Sequence, residues 1–131
     1  MGWSDEYSVG NERIDNQHKM IFKMADDFKA ALDDNRGDGV YSELLKSLSS
    51  YTQAHFRVEE KAMEACKCPV AVQNKEEHMK LIDVLSGFQQ RYLERGFDRE
   101  DAYNLVNTID RWLADHICSI DMHLKDLNIL P

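Results

Sequence analysis

Four stretches of this chain repeat apolar residues every three or four positions, which is the period of a helix with one buried face. The first carries Ile14, Ile21, Phe22, Ala25, Phe28 and Leu32, and the second Val40, Leu44, Leu48, Tyr51, Ala62 and Met63. The third carries Leu81, Ile82, Leu85, Phe88 and Tyr92, and the fourth Leu105, Val106, Ile109, Leu113, Ile117 and Ile120. Alternating apolar runs of the strand type are absent, and the chain has only two prolines. Breakers fall between the stretches. Gly37-Asp38-Gly39 separates the first two, Pro69 suits the first turn of the third, and Gly96 ends it. Asp98 is placed to cap the fourth helix, with Asp101 in its first turn. Short connections make neighbouring helices antiparallel. The expected fold class is therefore all-α, an up-down-up-down four-helix bundle. Residues 1–131 read as one domain, with residues 1–12 as an N-terminal arm anchored by Trp3 and Tyr7.

Polar residues interrupt these apolar stripes at particular places. His18 follows Ile14 by four residues, and His55 follows Tyr51 by four, with Glu59 four further on. His78 precedes Leu81 by three, His116 follows Leu113 by three, and Asp121 comes five after His116. Each helix thus aims at least one metal-competent side chain into the same interior. An unpartnered imidazole or carboxylate costs several kcal/mol to bury. A single histidine on an apolar stripe is more often a hydrogen-bonded core residue than a ligand. Glu59 alone could pair with Arg57 or Lys61, and Asp121 alone could be solvated. Four helices that all accept the cost call for a common compensation, and a cation supplies it. The mixed nitrogen and oxygen donor set suits iron or manganese better than a closed structural zinc site. Two carboxylates suit two ions, because each can bridge. The His55-x-x-x-Glu59 spacing places both donors one turn apart on one face.

Several classes are excluded. With 16 Lys+Arg against 24 Asp+Glu, the net charge of −8 disfavours nucleic acid and anionic membranes as partners. No apolar run reaches the roughly 18 residues of a membrane span. The acidic N-terminus is unlike a signal peptide, and three cysteines do not make a disulfide framework. A cytoplasmic monomer is expected. Cys66 and Cys68 read as ordinary loop thiols, Cys118 as a small core residue, His123 as solvated, and Met20, Met24, Met63 and Met79 as core filler. Trp112, one turn before His116, reads as packing against the ligands. There is no phosphate-binding glycine loop, nucleophile triad or His-Glu-x-x-His motif.

In order and spacing, these residues resemble the hemerythrin family over nearly the whole chain. The matching stretches are Trp3…Tyr7-Ser8-Val9-Gly10…Ile14-Asp15-Asn16-Gln17-His18, His55-Phe56-Arg57-Val58-Glu59-Glu60…Met63, Lys75-Glu76-Glu77-His78 and Trp112-Leu113-Ala114-Asp115-His116-Ile117…Asp121. The resemblance implies an oxygen-bridged di-iron centre. One iron would be held by His18 and His55, the other by His78 and His116, with Glu59 and Asp121 bridging. Dioxygen would bind reversibly at the His18/His55 iron, under an apolar pocket lined by Leu113 and Ile117. One position departs from the pattern. Where the family has a further histidine one turn before the third-helix ligand, this chain has Asn74, whose carbonyl is a weaker ligand than imidazole for Fe(II). Glu77 points about 100° away from His78 and is no substitute. The departure favours a second reading, an oxidoreductase acting on peroxide or nitric oxide. A third reading is a single structural ion.

Overall fold

The computed structural model describes residues 2–126 and forms a four-helix bundle. The long helices are α1 (Glu12–Asp33), α2 (Tyr41–Ala65), α3 (Ala71–Arg95) and α4 (Arg99–His116), and a short turn of helix, α5 (His123–Asp126), follows. Among the described residues there is no strand, and no helix is long and apolar enough to cross a membrane. Residue 1 and residues 127–131, the outer limits of the expected domain, lie outside the described residues. Each helix packs on its chain neighbours, and α4 closes the ring against α1. The core runs the length of the bundle through Ile14, Ile21, Leu48, Leu81, Leu105 and Ile109, all at most 3% exposed. Full burial of each such side chain contributes about 1.5–3 kcal/mol.

The helix ends follow local chemistry. Asn11 caps α1, its side chain accepting from the Ile14 amide at 3.1 Å. The arm is tied down by the same first turn, where Asp15 accepts from Ser8 Oγ at 2.6 Å and from the Val9 amide at 2.8 Å. Tyr7 stacks on Phe22, and Trp3 packs edge-on against Tyr7. Gly96 ends α3 at φ 76°, ψ −166°, a conformation essentially restricted to glycine.

Two helices end on a left-handed residue that is not glycine. Asn35 has φ 61°, and the amides of Asn35 and Arg36 reach back to Leu32 and Ala31. Lys67 has φ 56°, and the amides of Lys67 and Cys68 reach back to Glu64 and Met63. This is the Schellman closure, whose usual apolar contact comes from the residue just past the left-handed one. Here that residue is Cys68, which is buried. The Cys66-Lys67-Cys68 run is thus a helix terminus. Relieving the left-handed lysine should help: Lys67→Gly is expected to raise the unfolding free energy by about 1 kcal/mol, read by urea denaturation.

The packing departs from the sequence reading at several points. Pro69 precedes the first helical residue of α3 by two and lies in the connecting turn. Asp98 stands at the N-cap of α4, but its side chain makes no capping bond. In the first half of α2 Tyr41, Leu45 and Leu48 are buried, while Leu44 is half-buried and Val40 exposed. Met63 is buried as expected, Met24 is half-buried, and Met20 and Met79 are exposed. Cys118 is exposed rather than core, because it lies on the outer face, about 200° around the helix from His116.

Candidate metal centre

Between His116 and Asp121 the helix changes its winding. Residues Ile117–Asp121 form a single π turn. On a regular α-helix, two side chains five residues apart point about 140° away from each other. The extra residue in the π turn brings Asp121 back to the face that His116 occupies. The wide turn is what allows an Asp at this spacing to reach the interior.

The six residues singled out from the sequence meet at one level of the bundle. His18, His55, Glu59, His78, His116 and Asp121 are each at most 2% exposed. Glu59 Oε2 lies 2.8 Å from His18 Nε2 and 3.1 Å from His55 Nε2. Its other oxygen, Oε1, lies 3.1 Å from His78 Nε2 and 4.0 Å from His116 Nε2. Asp121 divides itself the same way, with Oδ2 3.1 Å from His18 Nε2 and Oδ1 3.2 Å from His116 Nε2. Asn74 Oδ1 joins the second group, 2.9 Å from His116 Nε2. Donors about 2.1 Å from a common ion and at right angles to one another stand about 3.0 Å apart, which is the spacing found here. The atoms within each of the groups His18/His55/Glu59/Asp121 and Glu59/His78/His116 lie within 4.8 Å of one another.

The histidines are oriented from behind. His55 Nδ1 donates to Gln17 Oε1 at 2.7 Å, His78 Nδ1 to Glu60 Oε2 at 2.8 Å, and His116 Nδ1 to Glu77 Oε1 at 2.8 Å. With Nδ1 protonated, a neutral imidazole presents a lone pair at Nε2. The three partners follow one rule. Each sits next in sequence to a residue of the cluster, about 100° around its own helix, and there it meets the histidine of the following helix. Gln17 serves α2 from α1, Glu60 serves α3 from α2, and Glu77 serves α4 from α3. The rule stops at the α4–α1 interface, where buried His18 Nδ1 has no partner among the described residues. Glu77 therefore orients a histidine of the cluster, His116, instead of standing in for one. Sequence reasoning missed all three partners, although their adjacency to the cluster residues was the available signal. Aromatic rings fix the remaining freedom. Phe56 stacks on His78 at 3.7 Å between centroids and Trp112 on His116 at 4.4 Å.

The residues fit a metal. His78 Nε2 and His116 Nε2 face each other at 3.1 Å. Two lone pairs at that distance repel unless a proton or a cation lies between them. Both Asp121 oxygens are buried, and their close polar neighbours among the described residues are imidazole nitrogens, His18 Nε2 at 3.1 Å and His116 Nε2 at 3.2 Å. Left to protons, the cluster takes them up strongly. Burial acts to lower the His18 pKa, but the hydrogen bonds and charges of Asp121 and Glu59 outweigh it and raise it to about 10. Against the same opposing burial, Asp121, Glu59 and Glu77 raise His116 to about 9. Burial acts to raise the Glu59 pKa, yet His55, His18 and His78 hold it well below the usual carboxylate range. This is the electrostatics of a cage built around positive charge.

One turn away, on the same side of all four cluster histidines, lies a small cavity of about 10 Å³. It is lined by Ile21, Thr52, Phe56, Leu81, Ile109, Trp112 and Leu113. Of the two pocket residues expected, Leu113 is on its wall, and Ile117 is buried but is not among the lining residues. His123 is not brought to the cluster; it is half-buried and donates from Nδ1 to the Ile120 carbonyl at 3.1 Å.

Comparison with known proteins agrees with this arrangement. The family model of the Hemerythrin HHE cation binding domain matches residues 9–127. A bacteriohemerythrin of Pseudomonas aeruginosa is 31% identical over 124 residues, covering 95% of this chain and 78% of the relative. A bacteriohemerythrin of Stenotrophomonas maltophilia is 29% identical with the same coverage. A hemerythrin-like protein of Naegleria gruberi is 29% identical over 123 residues, covering 94% of this chain and 89% of the relative.

Proposed function

Because the chain belongs to the hemerythrin HHE cation-binding family, we propose that its buried cluster holds two iron ions and binds dioxygen reversibly, as a carrier, store or sensor. The observation that carries this reading is the division of labour within the two carboxylates. Glu59 and Asp121 each turn one oxygen to the His18 side and the other to the His78/His116 side. That is the arrangement of bridging ligands between two positions. Bound iron would supply the electrons and the open coordination position that dioxygen requires.

The protein's own residues do the rest. His18 and His55 with two carboxylate oxygens would hold one ion; His78, His116 and the other two oxygens would hold the second. Gln17, Glu60 and Glu77 keep three imidazoles in the tautomer that offers Nε2 inward. The apolar cavity wall admits a small neutral molecule and excludes bulk water, which slows irreversible oxidation. The decisive experiment exposes the reduced, iron-loaded protein to oxygen and follows visible absorption. A coloured adduct that bleaches under vacuum is expected. Metal analysis showing one tightly held ion per chain would end the reading.

Asn74 supports a second reading, turnover of peroxide or nitric oxide. It faces His116 from the position one turn before His78, so its weak amide oxygen stands where a third imidazole would complete the second ion's shell. Asn74→His is expected to slow iron loss to a chelator at least 10-fold and to lengthen the life of the oxygen adduct. If the unaltered protein instead consumes peroxide and passes quickly to an inert oxidised state, the oxidoreductase reading prevails.

A further inference from the structure

The two halves of the cluster are backed unequally. In the His78/His116 half both imidazoles donate from Nδ1 to a carboxylate, His78 to Glu60 and His116 to Glu77, each at 2.8 Å. In the His18/His55 half, His55 donates to the neutral amide of Gln17 at 2.7 Å, and His18 Nδ1 has no partner among the described residues. The sequence explains the gap. The residues that follow the cluster members on α4 and its π turn are Ile117 and Met122, and neither side chain offers an oxygen. The two backing charges are not cancelled nearby. Among the described residues neither Glu60 nor Glu77 has a Lys or Arg within ion-pair distance, and Lys75, which feels Glu60 from farther off, pairs with Glu64 at 2.6 Å.

Backing of this kind sets how strongly an imidazole binds a cation. A carboxylate that accepts from Nδ1 makes a charge-assisted bond, stronger than one to an amide, and raises the basicity of Nε2. The donor count points the same way. Glu59 and Asp121 each turn one oxygen to either half, and Asn74 Oδ1, 2.9 Å from His116 Nε2, adds a further donor to the His78/His116 half alone. An amide oxygen is a weak ligand, but the other half has nothing in its place.

We propose that the cluster fills in a fixed order: the His78/His116 position takes up the first ion and holds it more tightly, and Glu60 and Glu77 set that order by placing negative charge behind its two imidazoles. The inference rests on the two-ion reading above. Glu60, Glu77 and Gln17 are positioning residues, which act through the histidines.

The test titrates metal-free protein with Co(II), without oxygen, against a competing chelator. Two uptake steps are expected, the first about 10-fold tighter than the second. Glu60→Gln and Glu77→Gln keep an oxygen to accept from Nδ1 and remove only the charge, and each should weaken the first step about 10-fold. Gln17→Glu adds a charge behind the other half and should tighten the second step about 10-fold. Proton NMR of the cobalt-loaded protein tells the halves apart, because ligated imidazoles give strongly shifted N–H signals that vanish in D2O. At one equivalent of Co(II), Glu60→Gln and Glu77→Gln should each displace a different one of these signals, and Gln17→Glu should displace none. Two equal steps in the unaltered protein overturn the proposal. So does a signal displaced by Gln17→Glu at one equivalent, which would mean that the His18/His55 position fills first. Unchanged affinity in both Glu→Gln variants would mean that these carboxylates only orient the rings, and overturns it as well. An unaltered protein that takes up no cobalt, or one ion and no more, refutes the two-ion reading itself.

Discussion

Metal-free protein should lose stability steadily as the pH rises from about 6.5 to 10, and iron loading should remove that dependence. In the unfolded chain a histidine titrates near 6.5. In the fold, His18 titrates near 10 and His116 near 9, because Asp121 and Glu59 reward their charge more than burial penalises it. A raised pKa means that the folded state binds more protons between the two values. The stabilisation is complete below about pH 6.5 and is lost as the pH passes through the folded values. Over this window the loss is on the order of a few kcal/mol. Glu59 acts in the opposite sense. Its folded pKa is depressed, so its contribution exists above the ordinary carboxylate value and disappears as the pH falls through the depressed one. Metal-free protein should therefore be most stable between about pH 4.5 and 6.5. Ions in the cluster take the place of these protons, so loading near neutral pH should release protons. Urea midpoints at pH 6.5 and 9.5, with and without Fe(II) under anaerobic conditions, check both halves. Equal midpoints in the metal-free samples would show that His18 and His116 are not charged at neutral pH.

That protons and ions compete for one cage could be anticipated from the chain, because the cost of burial was visible there. The 3.6-residue period located four helices. It also placed His18, His55, His78 and His116 on their inner faces, since a stripe position has only one direction to point. Asp121 was harder. Five residues after His116 it should have pointed away, and only the π turn turns it inward. No propensity scale signals such a turn; it is imposed by what the interior gains. Cys118, two residues after His116, points away from the cluster as its spacing requires, but that outer face is exposed rather than packed. Gln17, Glu60 and Glu77 were overlooked for a related reason. On their own helices they flank the apolar stripe and resemble ordinary solvated residues. Their role comes from the neighbouring helix, which a one-dimensional pattern does not contain. Val40 and Leu44 show a milder version: at the start of α2 the buried positions are Tyr41 and Leu45 instead, while the register from Leu48 onward is as expected.

The largest single-residue effect is expected at Glu59. Its two oxygens face different halves of the cluster, Oε2 toward His18 and His55 and Oε1 toward His78. Glu59→Gln keeps the shape but turns one of these acceptors into an NH2 donor and removes the negative charge. One half then meets a donor where it needs a ligand, and the other keeps a neutral oxygen that binds a cation weakly. Of the two carboxylates that face both halves, only Asp121 would then remain to oppose the charge of the ions proposed above. Iron content after desalting should fall from two per chain to well below one, with affinity lowered more than about 100-fold. The variant separates two positions sharing bridges from a single structural ion. If one ion were held by His18, His55 and Asp121 without help from the other half, Glu59→Gln would retain most of it. The metal-free variant should still fold, because the amide keeps the shape and hydrogen-bonding capacity of the carboxylate and the histidines it faces can turn neutral. It should also show a shallower pH dependence than the unaltered chain, since Glu59 is one of the two groups that raise His18. A variant that keeps two irons through desalting would mean that Glu59 does not bridge, and the paired-oxygen geometry would then need another explanation.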